Sequence, residues 1–157
     1  MTERKFKASS AWILLAAVFL YLAEPYELAA LLLPAAVHEL GHASAIRIAG
    51  LRIKSFRAEL KGFCMSYSGY SGAMGHMLIA AAGPAAGILY ALAAGRLGAE
   101  HDSSFLCLSS GISLILSLFN LLPAMPLDGG RIFSELSTAL MGEKRGSVLS
   151  RCVSFAV

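Results

Sequence analysis

Charge is scarce in this chain. Only 15% of its 157 residues are Asp, Glu, Lys or Arg, while 57% are hydrophobic and the mean hydropathy is +0.66. A soluble domain of this size is usually about a quarter charged. The balance excludes a solvated globule and implies a bilayer. Cysteine is scarcer still. Cys64, Cys107 and Cys152 are odd in number and lack CxxC spacing, which excludes a disulfide framework and a thiolate metal site. There is no basic stripe interleaved with aromatics, so nucleic acid is not an expected partner despite a net charge of +3. The first apolar run closes on Tyr21-Leu22-Ala23-Glu24-Pro25. That stretch does not have small residues at both cleavage-site positions, so the run is expected to stay as an uncleaved first span.

What is present in abundance is long uncharged runs. Ala8–Ala23, Leu28–Ile48, Met77–Gly95 and Ser103–Leu127 read as four spans. The third contains Gly83-Pro84-Ala85-Ala86-Gly87, a small-residue surface that lets helices approach closely. Between the second and third spans the period changes to two. Leu51 and Ile53 alternate with Arg52 and Lys54, then the phase slips at Ser55, and Phe56, Ala58 and Leu60 alternate with Arg57, Glu59 and Lys61. Alternation predicts a strand and the slip predicts a bulge. Phe63–Tyr67, after Gly62, is the expected return strand of a hairpin. Gly95–Asp102 reads as a polar loop. Ile132–Met141 is apolar enough to enter the bilayer or lie on its face, and Val148–Val157 starts a further apolar segment too short to span.

Basic residues give the expected topology. Arg4, Lys5 and Lys7 precede the first span, and Arg47, Arg52, Lys54, Arg57 and Lys61 follow the second, whereas the Glu24–Glu27 turn has none. By the positive-inside rule the N-terminus and hairpin are cytosolic, in a multi-pass protein of the cell membrane.

Within the second span lies Val37-His38-Glu39-Leu40-Gly41-His42. At 3.6 residues per turn, His38 and His42 share one helix face, so both imidazoles can reach one ion. Glu39 sits about 100° round the helix, where it can take a proton from water beside the metal. Ionisable groups inside an apolar span are costly, so the default reading is a functional site. Pro34, four residues before His38, removes a backbone hydrogen bond and is expected to kink the helix.

A catalytic zinc takes three protein ligands and keeps one position open. Asp128 is the best third candidate, because Asn120–Gly130 holds two prolines and two glycines close together and cannot be regular helix. Unwound backbone at membrane depth is tolerated where it faces protein or water. Glu135 is the runner-up. Asn120 either donates to a developing oxyanion and orients the peptide, or caps the broken helix. His76 reads as an interfacial histidine, and His101 is expected on the side away from the site.

His38-Glu39-Leu40-Gly41-His42, Asn120-Leu121-Leu122-Pro123 and Leu127-Asp128-Gly129 together resemble the site-2 protease family of intramembrane zinc metalloproteases. Gly83-Pro84 also looks like part of that family's third motif helix. The resemblance implies that His38, His42 and Asp128 bind Zn2+ and that Glu39 is the catalytic base. With no PDZ insertion, the chain is similar to the sporulation-type branch, whose members cleave a membrane-associated pro-sigma factor. It departs by ending early, since those members carry further spans and often a CBS domain. A C-terminally truncated piece, or a short member, is expected.

The expected fold is an α-helical polytopic membrane protein with one intramembrane metalloprotease domain over residues 1–157. It has about four to five transmembrane helices, a small membrane-proximal β-hairpin and a broken helix at the active site. Expected partners are the lipid bilayer, a membrane protein or membrane-associated peptide as substrate, and a regulatory membrane protein. The competing class is an inactive membrane zinc-binding or substrate-holding protein. Glu39 favours the enzyme, because a binder needs the ligands but not the base.

Overall fold

A computed structural model describes residues 5–8, 21, 24–59, 62–69 and 72–156. In chain order its elements are β1 (Lys5–Ala8), α1 (Pro25–Ile48), β2 (Arg52–Glu59), β3 (Gly62–Ser68), α2 (Ala73–Glu100), α3 (Ser104–Asn120), α4 (Asp128–Met141) and α5 (Glu143–Ala156). The helices α1 and α2, of 24 and 28 residues, are long and apolar enough to cross a membrane. At 1.5 Å per residue both exceed the roughly 30 Å of bilayer hydrocarbon. Their most apolar stretches are only 22% and 39% buried, and Leu40, Leu89 and Leu92 face outward. A core helix of a soluble protein hides such residues.

The sequence predicts four to five spans. Among the described residues α1 and α2 have the required length, α3 is apolar but has 17 residues, and α4 and α5 have 14 each. The predicted first span, Ala8–Ala23, lies outside the described residues except for Ala8 in β1 and Tyr21.

The start of α1 follows from Pro25 in its first turn and from Glu27, whose Oε2 accepts the Glu24 N–H at 3.4 Å. The helix runs on through Pro34 without a break. It ends in a Schellman motif. Leu51 N–H donates to Ile46 O, Gly50 N–H donates to Arg47 O, and Gly50 takes φ +72°, a left-handed conformation that suits glycine. The motif brings Leu51 back onto Ile46. These two, with Ile79 of α2, form a buried cluster against which Ile53 and Tyr67 pack. The cluster fixes the sheet to the ends of α1 and α2.

The sheet has the order β1-β2-β3, with β1 parallel and β3 antiparallel to β2. Between β2 and β3 the register steps from Ile53↔Tyr67 to Ser55↔Ser66. Lys54 is the extra residue, and the bulge falls where the alternation slips. The parallel strand β1 has no counterpart in the sequence reading, because four residues are too few to display a period. Its presence makes β2 the central strand.

Between α2 and its neighbours, small residues set the spacing. A Cβ on Gly41 would meet the Ala82 carbonyl of α2 at 2.5 Å, and one on Gly87 would meet Ser117 Oγ of α3. Ser113 Oγ donates to Gly87 O at 2.8 Å and Ser110 Oγ to Ala91 O at 2.7 Å, while Tyr90 OH bonds Ser109 Oγ at 2.7 Å. The hydroxyls of Tyr90, Ser109, Ser110 and Ser113 thus find partners inside the helix pair instead of facing hydrocarbon. Contrary to the sequence reading, α2 does not stop at Gly95. It continues to Glu100, and only residues 101–103 form the turn. The glycines that look like loop signals face α3 instead, Gly95 opposite Ser110 and Gly98 opposite Cys107.

Candidate metal centre

His38, Glu39 and His42 lie together in the second half of α1, and Asp128 is the first residue of α4. The turn that delivers Asp128 is built from the broken segment. Ala124 N–H donates to Leu122 O and Leu127 N–H to Ala124 O, after which Arg131 N–H donates to Leu127 O and opens the helix. Met125 N–H donates to Ser154 Oγ of α5 at 3.0 Å, which props the segment from outside. Gly129 and Gly130 let this turn fold back. A Cβ on Gly129 would strike the Leu121 carbonyl, and one on Gly130 would meet Ala124 at 2.5 Å.

The result is a triangle of three ligand atoms. His38 Nε2 lies 3.2 Å from Asp128 Oδ2, His42 Nε2 lies 3.1 Å from the same oxygen, and the two Nε2 atoms are 3.1 Å apart. Both His38 and Asp128 are buried. A tetrahedral ion bound at about 2.0–2.2 Å keeps its ligands about 3.3–3.6 Å apart, close to the observed edges. The proton positions favour the same reading. His42 Nδ1–H donates to the Ile79 carbonyl at 2.8 Å, so in the neutral imidazole Nε2 carries the lone pair. That lone pair faces a carboxylate oxygen, an arrangement a cation relieves. His38 Nδ1 is buried with no hydrogen-bond partner among the described residues, so its tautomer is not fixed from behind as that of His42 is. The three residues could hold a metal ion.

Gly83 completes the cage from α2. A Cβ there would collide with His42 Nε2. Gly83→Ala is expected to weaken metal binding by roughly 10–100-fold, the range seen when a ligand's support is disturbed. The same change favours helix by about 1 kcal/mol. Competition with a chromophoric chelator, read beside thermal melting, separates the two effects. Unchanged metal affinity would remove Gly83 from the cage.

The triangle opens on a cavity of about 680 Å³. Glu39 and Asn120 both line it, as does Glu135, which is not part of the triangle. Asn120 Nδ2 donates to Leu116 O at 2.9 Å, so one amide hydrogen is spent on its own helix and a second remains. His101 caps the distant end of α2. His76, read as interfacial, also lines the cavity, together with Tyr67 and Arg131. Tyr67 was missed. Its position in the strand pattern marks it as sheet, and only the bulge and the Ile46–Leu51–Ile79 cluster bring it to the cavity wall.

A model of the Peptidase M50B-like family matches residues 11–126. A Synechocystis protein provisionally named as a zinc metalloprotease is 32% identical over 128 residues, which cover 76% of this chain and 34% of that protein. Rip3 of Mycobacterium tuberculosis, named in the same provisional way, is 34% identical over 104 residues, covering 60% of this chain and 26% of its own length. The chain thus spans about a quarter to a third of the length of these curated relatives. Among solved structures, the site-2 protease from Methanocaldococcus jannaschii shares the fold with a TM-score of 0.75 at 22% identity, over 93% of this chain and 73% of that one.

Proposed function

The chain belongs to the Peptidase M50B-like family, and from that premise we propose that it is a zinc-dependent endopeptidase cutting peptide bonds within or beside a bilayer. The carrying observation is that His38, His42 and Asp128 bring three ligand atoms together on a cavity that Glu39 also lines. Zinc bound there supplies Lewis acidity and lowers the pKa of water towards neutrality. The chain's residues do the rest. Glu39 accepts a proton from the attacking water and passes it to the leaving amine. Asn120 keeps one amide hydrogen for the oxygen that gains charge as the carbonyl is attacked. The broken segment before Asp128 lets water and a peptide meet at membrane depth.

A helical substrate carbonyl is already hydrogen-bonded, so the substrate must enter unwound. The strand-like alternation over Leu51–Leu60 suggests capture of the unwound segment by edge addition. That strand is paired on both sides, so edge addition falls to β3, whose Tyr67 lines the cavity. The finer reading has a multi-pass protein with N-terminus, hairpin and site on the cytosolic side. The short hairpin between α1 and α2, with no larger insertion there, favours the branch that processes membrane-associated pro-sigma factors under a regulatory membrane protein. The inactive-binder reading is disfavoured by Glu39 on the cavity wall.

The test is metal removal from the full-length protein in proteoliposomes. Dialysis against a chelator is expected to abolish cleavage of a co-reconstituted membrane reporter, with about one zinc per chain restoring it. Cleavage that survives complete zinc removal, measured by atomic absorption, would sink the proposal.

A further inference from the structure

The cavity has a second polar wall that the zinc chemistry does not use. Tyr67 OH and His76 Nδ1 are 2.7 Å apart, and their rings lie 5.8 Å apart with a 32° tilt. Both line the cavity. Each is held from behind. Tyr67 packs on the Ile46–Leu51–Ile79 cluster, and His76 sits in the first turn of α2, its N–H bonded to Gly72 O at 3.1 Å.

We propose that Tyr67 and His76 form a hydrogen-bonding station that holds a main-chain carbonyl of the peptide substrate. The reasoning is an accounting of protons. In the neutral pair there are two hydrogens, one on the phenol and one on the imidazole. One lies in the Tyr67–His76 bond. The other points outward, from His76 Nε2 when the phenol donates inward, or from Tyr67 when Nδ1–H donates inward. Either way the pair offers one donor to an incoming acceptor. Burial pushes the Tyr67 phenol up from its ordinary value, against the nearby Arg131 charge, so its proton stays in place at neutral pH. An unwound peptide supplies acceptors in every carbonyl.

The station's distance from the metal follows from α2. His76, Ile79 and Gly83 are at i, i+3 and i+7, one face of the helix. Ile79 holds His42 Nδ1 and Gly83 faces His42 Nε2. From His76 to Gly83 is about 10 Å of helix rise, or about three residues of extended peptide at 3.3 Å each. The station therefore holds a carbonyl two to three residues from the bond that is cut. Tyr67 and His76 are positioning residues, and the inference rests on the metal-centre reading above.

The experiment uses the zinc-loaded full-length protein and a ladder of probes. Acetohydroxamate reports the metal alone, and mono-, di- and tripeptidyl hydroxamates of leucine add carbonyls one residue at a time. In the wild type, affinity should step up at the second or third residue. The double variant Tyr67→Phe/His76→Phe, which removes both possible donors, should lose that step, by about 3–10-fold, the equivalent of one neutral hydrogen bond. Acetohydroxamate affinity and zinc stoichiometry should not change. The single variants Tyr67→Phe and His76→Phe, which each leave one donor, should lose less of the step. A ladder identical in the double variant and wild type overturns the station. Equal losses for acetohydroxamate and the peptides overturn it too, because the pair would then be only structural. Failure of the wild type to bind acetohydroxamate at all would instead strike the metal-centre reading and take the station with it.

Discussion

Glu39→Gln is expected to lower cleavage by about 10²–10⁴-fold, the usual contribution of a positioned general base, while zinc content stays at the wild-type value. The substitution changes neither volume nor helix position. It replaces a carboxylate that can accept a proton with a neutral amide that cannot. Glu39 follows His38 directly in α1 and lines the cavity onto which the three ligand atoms open, but it is not one of those atoms. Metal binding and turnover should therefore separate cleanly, and that separation divides an enzyme from a zinc-binding holder of membrane segments. The measurement is reporter cleavage in proteoliposomes alongside atomic absorption on the same sample. If activity persists, the base lies elsewhere, with Glu135 the other carboxylate on the cavity wall outside the triangle. If zinc is lost as well, Glu39 shapes the centre instead of acting in the reaction.

How much of this was legible in the sequence depends on how far each feature reaches along the chain. His38 and His42 are four residues apart, and helical geometry alone puts them on one face. The broken segment was legible because Pro123, Pro126, Gly129 and Gly130 are local signals, and α3 does stop at Asn120. The slip at Ser55 was visible as a bulge because it breaks a period of two. Other features depend on distant partners and left no local trace. Strand β1 pairs with residues fifty positions away, and its basic residues carry only a topology signal. Gly95 and Gly98 mimic a loop until α3 is placed against them. Gly83 reads as part of a packing surface, and its contact with His42 appears only when α1 and α2 are docked. Tyr67 and His76 belong to different elements, and nothing in either segment announces their bond.

Asp128→Asn is expected to strip the centre of zinc, beyond the 10–100-fold that disturbing a ligand's support costs. Asp128 Oδ2 is the corner that touches both imidazoles. The side chain would also be the site's negative ligand, and the residue is 7% exposed. Two neutral histidines and an amide would leave a divalent ion with its full charge in a buried place, where uncompensated charge is most costly. The amide adds a second penalty, because its NH2 can donate to the histidine nitrogens and satisfy the site without metal. Glu135→Gln is the control. It alters an acid on the same cavity but outside the triangle, so zinc should stay. Equilibrium dialysis against a buffered zinc series measures both variants. Wild-type affinity in Asp128→Asn would show that the third ligand is another residue. The turn from Leu121 to Leu127, with Gly129 and Gly130 folded beneath it, would then need a purpose other than aiming this carboxylate.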